Sequence, residues 1–176
     1  EELVLLRHAS RHYKAGLKAD VQTKTLEIRK LLSNLENAYR ESLECLATAA
    51  EYKDPETGNH IRRIGEYAQL IAKELGWSKE RQHLMFLAAP LHDVGKIGTP
   101  DGVLLKPGKL DSDEVAIMKQ HAQNGYDILS HSKHPVMQAA ANIARNHHER
   151  WDGGGYPCGL KGTEIPIEAR ITALVD

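Results

Sequence analysis

Cysteine, net charge and long apolar runs are what this sequence has least of. Its 176 residues include two cysteines, Cys45 and Cys158, too few for a disulfide framework and without the spacing of a zinc motif. A reducing cytoplasm is the natural setting for such a chain. The formal net charge is -1, which leaves no electrostatic footprint for a nucleic-acid polymer. The longest apolar stretch, around Leu84 to Leu91, is interrupted by Pro90 and is too short to span a bilayer. No secretory signal opens the chain, and Glu1-Glu2-Leu3 reads as the middle of a longer polypeptide. Strand-like alternation, internal repeats and low-complexity tracts are also missing. Hydrophobic residues at 41% and charged residues at 27% match an ordinary globular protein. The length suits one domain plus an appendage. Histidine stands out, at ten residues.

What is present is helical periodicity. Residues from about Leu17 to Lys53 read as one long helix. Val21, Ile28, Leu35, Ser42 and Ala49 are spaced by seven, as are Leu17, Lys24, Leu31, Ala38 and Cys45. Together they form an a/d-like seam with Lys, Glu and Arg on its flanks. The seam suits packing within one domain, or a parallel homodimer whose helix also connects to an upstream domain; the second is expected. Asp54 is a good N-cap and Pro55 a good first residue for the next helix, which runs to about Leu75 and stops at Gly76. Ser78 caps a helix reaching about Asp93. A loop punctuated by Gly95, Gly98, Pro100, Gly102, Pro107 and Gly108 follows. Asp111 with Glu114 resembles a capping box for a helix to about Ser130. Pro135 starts another that ends near His147-His148. Residues Trp151 to Pro166 form a glycine-rich loop, and a last helix begins near Ile167. The expected fold is all-α: residues 1–50 form a linker helix and residues 51–176 a helical domain.

Several side chains on these helices could carry chemistry, and each has an ordinary explanation. His92-Asp93 offers an imidazole and a carboxylate, good ligands for borderline divalent metals, with Asp93 able to bridge two ions; a surface His beside a capping Asp is commoner. Lys96 shares a helical face with Asp93 if the turn continues. Adjacent His147 and His148 point about 100 degrees apart on a helix, and such pairs usually sit at a polar helix end. Glu56 and His60 are four apart on one face, which fits a plain surface contact. His121 reads alone as a satisfied core histidine, and Asp176 as an ordinary acidic terminus. His8, His12, His83, His131 and His134 have no such partners and read as surface residues. Gly153-Gly154-Gly155-Tyr156-Pro157 fits a surface turn, but beside the histidine pair it reads better as a substrate-side loop.

Taken in order, these segments resemble a known family. The stretches are Glu56-Thr57-Gly58-Asn59-His60, then Leu91-His92-Asp93-Val94-Gly95-Lys96-Ile97-Gly98, then Lys106-Pro107-Gly108-Lys109-Leu110. His147-His148-Glu149-Arg150-Trp151-Asp152-Gly153-Gly154-Gly155-Tyr156-Pro157, Gly159-Leu160 and Ile165-Pro166 follow. They resemble the HD phosphohydrolase superfamily and, within it, the HD-GYP family, over roughly residues 48 to 176.

The resemblance implies an HD-type helical bundle holding two or three divalent ions, iron or manganese ahead of zinc. By similarity, Asp93 bridges two ions. His121, His147 and His148 complete one, and His92 and Asp176 hold the second. Glu56 and His60 serve the second or a third, and the presence of Glu56 favours three. The implied activity is a cyclic di-GMP phosphodiesterase, a metal-bridged hydroxide attacking phosphorus to give pGpG or, by a second cleavage, GMP. Lys96 would add positive charge near the scissile phosphate, and Gly155, Tyr156 and Pro157 would contact substrate, Tyr156 offering an aromatic face to a guanine. The family's domain continues beyond the position of Asp176, so a C-terminally truncated domain is expected. The alternatives are a hydrolase of another cyclic dinucleotide, or a sensing or interaction module for a diguanylate-cyclase-type partner. By family habit, the segment through about Lys18 is the tail of a receiver domain, making the chain the output part of a cytoplasmic response regulator.

Overall fold

The computed structural model describes residues 2–52 and 58–176. The expected Asp54 cap, Pro55 helix start and Glu56 ligand therefore lie outside the described residues, as does the side chain of His8. Every regular element among the described residues is helical. No described helix is long and apolar enough to cross a membrane. The order is α1 (Glu2–Glu51), α2 (Gly58–Glu74), α3 (Lys79–Ala88), α4 (Asp101–Leu104), α5 (Ser112–Ser130), α6 (Pro135–Asn146) and α7 (Ile167–Val175), with 3-10 turns at Ala89–Leu91, Val94–Gly98 and Gly162–Glu164.

The chain divides into two units, residues 1–41 and 42–176. The described residues of the first are helix alone. It begins well before Leu17, where the periodicity becomes readable, and its Leu17, Val21, Ile28, Leu31 and Leu35 are exposed. In the second unit the end of α1 follows a different row from the seven-spaced seam. Ser42, Cys45 and Ala49 face solvent, while Leu43, Ala47 and Ala50 are buried at helical spacing. This face of the helix packs on its own domain, and it is not the face that carries the seven-spaced rows.

The core of the second unit is built from small residues at helix crossings. On α2, Ile61, Ile64, Ala68 and Ala72 make one apolar stripe, and the helix closes at Gly76, whose φ of 75° suits a residue without Cβ. A Cβ on Gly65 would stand 2.8 Å from the Phe86 carbonyl of α3, so glycine sets how closely α2 and α3 approach. Ser78 caps α3 by accepting from the Arg81 N–H. The α-helix ends at Ala88, short of the expected Asp93, because Pro90 has no N–H and its ring crowds the carbonyl four residues back. Two tighter turns follow, and His92 and Asp93 sit between them. The capping box at Asp111 and Glu114 forms as the spacing predicts. Lys106 donates to the same Glu114 carboxylate at 2.6 Å, tying the preceding loop to the start of α5. Helix α6 starts at Pro135, and His147 is its C-cap.

Candidate metal centre

The turn that replaces the end of α3 points His92 and Asp93 inward, where α2, α5, α6 and α7 deliver the other candidates. Asp93 lies at the middle. Its Oδ1 is 3.3 Å from His121 Nε2 and 3.4 Å from His147 Nε2. Its Oδ2 is 3.5 Å from His92 Nε2 and 2.8 Å from Lys96 Nζ. Asp176 Oδ1 lies 3.4 Å from His92 Nε2 and 3.3 Å from His60 Nε2. Among the described residues, two groups have metal-ligand spacing, with ligand atoms within 4.8 Å of one another: Asp93, His121, His147 and His148, and then Glu51, His60 and His92.

Which nitrogens face the centre follows from the backbone. His92 Nδ1 lies 3.1 Å from the Ala89 carbonyl, His121 Nδ1 2.6 Å from that of Met118, and His147 Nδ1 2.9 Å from that of Ala144. A carbonyl oxygen only accepts, so each neutral ring carries its proton on Nδ1 and presents a lone pair at Nε2. Those lone pairs converge on the oxygens of Asp93, acceptor against acceptor. His92, His121 and His147 Nε2 and Asp93 Oδ1 are all buried without a hydrogen-bond partner. Buried acceptors so arranged fit a cation between them.

The electrostatics gather negative charge at the same point. Burial opposes ionisation of Asp93, but His147, His92 and Lys96 outweigh it and hold its carboxyl far below the usual range. Burial, then the neighbouring His147 and His121, lowers His148 to about 3, so it stays neutral and able to ligate at ordinary pH. Burial works against the charged form of fully enclosed His92, yet Asp176 and Asp93 leave its pKa raised. His92 holds down the pKa of Asp176 against burial.

The glycine-rich loop forms one wall. Tyr156 stacks on His148 with centroids 4.7 Å apart and planes at 23°, so one ring face is covered. Lys119 Nζ is 5.1 Å from the ring centroid. Burial pushes the Tyr156 phenol up to about 12, keeping it protonated. Beside these lies an open cleft of about 430 Å³ lined by Lys119, His147, His148, Arg150 and Tyr156 among others. At Gly155 an added Cβ would be 2.4 Å from Arg150 N and 2.6 Å from the His148 carbonyl, so a close backbone approach demands glycine there.

Sequence reasoning missed two residues here. Buried Glu149 accepts from the N–H groups of Cys158 at 2.7 Å, Gly159 at 3.1 Å and Leu160 at 2.9 Å, pinning the loop that carries Tyr156. Nothing in its spacing announces this. Glu51, whose pKa is raised by burial against the pull of His92 and His60, ends the buried stripe of Leu43, Ala47 and Ala50. An acid closing an apolar row was the available signal. His83, expected at the surface, is half-buried and stacks on Phe86, whereas His12, His131 and His134 are exposed.

A family model described as HD domain matches residues 44–176. The chain is similar to the cyclic di-GMP phosphodiesterase response regulator RpfG of Xanthomonas campestris, 50% identical over 154 residues, which are 86% of this chain and 41% of that protein. It is similar to a cyclic di-GMP phosphodiesterase of Thermotoga maritima, 52% identical over 136 residues, covering 77% of this chain and 37% of the relative. The 3'3'-cGAMP-specific phosphodiesterase 2 of Vibrio cholerae is 45% identical over 152 residues, covering 86% and 29%. A crystal structure of a cyclic GMP-AMP-specific phosphodiesterase of Vibrio cholerae, V-cGAP3, shares the fold with a TM-score of 0.60 at 21% identity over 77% of this chain and 39% of that one. The chain thus spans less than half the length of each.

Proposed function

The chain belongs to the HD domain family, and on that premise we propose that it is the metal-binding part of a metal-dependent phosphodiesterase that hydrolyses cyclic di-GMP to pGpG or GMP. The convergence of buried histidine lone pairs on both oxygens of Asp93 carries this reading. Similarity to cyclic di-GMP phosphodiesterases at 50% and 52% identity supports the substrate class. The similar 3'3'-cGAMP-specific enzyme favours a second reading, with that dinucleotide as substrate.

In this proposal Asp93 would be shared by two divalent ions. His121, His147 and His148 would help hold one, and His92 and Asp176 the other, with His60 and Glu56 serving the second or a third. Iron or manganese suits the mixed histidine and carboxylate set. Such ions, when bound, lower the pKa of water and neutralise charge on a phosphate. Lys96 holds its ammonium 2.8 Å from Asp93, ready to offset charge developing on the phosphate or leaving oxygen. Gly155, Tyr156 and Pro157 shape the substrate side, with Tyr156 as a phenol donor and an edge for a base. Purified protein is expected to carry two to three ions per chain by elemental analysis, iron or manganese dominating. Under reducing conditions it should hydrolyse cyclic di-GMP faster than 3'3'-cGAMP. The reverse preference selects the second reading, and full turnover by metal-free protein sinks both.

The N-terminal helix is proposed to pair in parallel with its copy in a second chain, below a receiver-type or other input domain in the cytoplasm. The exposed row of Leu17, Val21, Ile28, Leu31 and Leu35 supports this, since apolar surface is stabilised by roughly 25 cal/mol per Å² when covered. Ile28→Glu with Leu35→Glu should convert dimer to monomer in light scattering and leave metal content intact. A double variant that stays dimeric would locate the interface elsewhere.

A further inference from the structure

We propose that Glu51 is a metal ligand, supplying a carboxylate to the second half of the centre together with His60 and His92. The assignment rests on the reading of this site as a metal centre. Glu51 is the last residue of α1 and is only 4% exposed. Its Oε2 is buried without a hydrogen-bond partner. Its carboxylate and one nitrogen each of His60 and His92 lie within 4.8 Å of one another. His92 spends its Nδ1 proton on the Ala89 carbonyl, so its Nε2 lone pair is the part left to ligate.

Charge gives a second reason. Asp93, Asp176 and Glu51 place three carboxylates around the same histidines. Lys96 contacts Asp93 on its Oδ2 side, whereas Glu51 Oε2 is buried with no hydrogen-bond partner among the described residues. A carboxylate oxygen buried without a donor is costly, and a divalent cation between Glu51, His60 and His92 relieves that cost, each residue offering one ligand atom. The position also follows from the backbone: Leu43, Ala47 and Ala50 bury this face of α1, so the next residue on it is delivered to the centre. Glu56 is not required for this carboxylate.

The test uses the full chain, anaerobically stripped and titrated with Mn(II). Bound metal is read by elemental analysis after desalting and by electron paramagnetic resonance, which distinguishes exchange-coupled from isolated Mn(II). Glu51→Gln keeps the shape of the side chain and removes the charge. It is expected to lose about one ion per chain, with the weaker step shifted on the order of 10–100-fold. The coupled signal should give way to that of isolated Mn(II), and circular dichroism should be unchanged. Glu51→Asp, with a shorter carboxylate, is expected to keep the wild-type number of ions and bind the second more weakly. Glu56→Gln in parallel should leave the coupled pair intact. Wild-type stoichiometry and coupling in Glu51→Gln would overturn the assignment, as would loss of all ions from a folded variant. Should wild-type protein itself bind no Mn(II), the metal-centre reading fails as well, an outcome distinct from failure of Glu51 alone.

Discussion

Asp93→Asn is expected to empty both halves of the metal centre and to lower hydrolysis by at least about 10³-fold, since the acidity of bound water depends on the ions that this carboxylate holds. Both of its oxygens are in use. Oδ1 faces His121 and His147, and Oδ2 faces His92 and Lys96. The amide keeps the size but loses the charge and one lone-pair face. Its NH2 group can also donate to an imidazole Nε2, satisfying one of the acceptors now buried without a partner. The metal-free variant should therefore melt no lower than metal-free wild type while binding far less metal. Elemental analysis and thermal unfolding of stripped protein check the two halves of the expectation. Wild-type metal content in Asp93→Asn would remove Asp93 from the bridging position.

Gly95→Ala is expected to damage fold and site together. A Cβ at Gly95 would lie 1.9 Å from the His121 carbonyl and 2.4 Å from Gly125 N. Both are backbone atoms, and the first gap is about 1.5 Å or more short of ordinary contact. The turn Val94–Gly98 and α5 must separate, which costs about 1–3 kcal/mol or more for overpacking and lowers Tm by roughly 3–9 °C. His121 rides on the displaced turn, so metal affinity should fall in parallel. Gly102→Ala is the control, because nothing lies within 4 Å of a Cβ there. Equal melting temperatures for the two variants would mean that the turn has freedom to shift.

The elements most legible in the sequence were those with local causes. The capping box at Asp111, the stop at Gly76 and the start at Pro135 depend on neighbours within a few residues, and each forms where spacing predicts. The end of α3 was not legible to the residue, because an α-helix and the tighter turns after Pro90 share almost the same periodicity. For His60, His92, Asp93, His121, His147, His148 and Asp176, order along the chain gave the set, but not which nitrogen faces inward or which oxygen of Asp93 serves which histidine. Those follow from carbonyls at helix ends, which side-chain patterns do not encode. Glu51 was passed over because an acid after an apolar row looks like a solvated helix end until Leu43, Ala47 and Ala50 are seen to be buried.

Three of the imidazoles owe their orientation to main-chain carbonyls three residues earlier, at Ala89, Met118 and Ala144. A carbonyl is the one acceptor that mutation cannot delete. The aim of these rings is therefore insulated from sequence drift: the residues supplying those oxygens can change identity, provided the helical turn survives, without re-aiming a single nitrogen. Mutational tolerance around His92, His121 and His147 is set by what preserves the turn and its packing rather than by any particular side-chain chemistry, which leaves the surrounding shell free to diverge toward different substrates over an unchanged set of ligands.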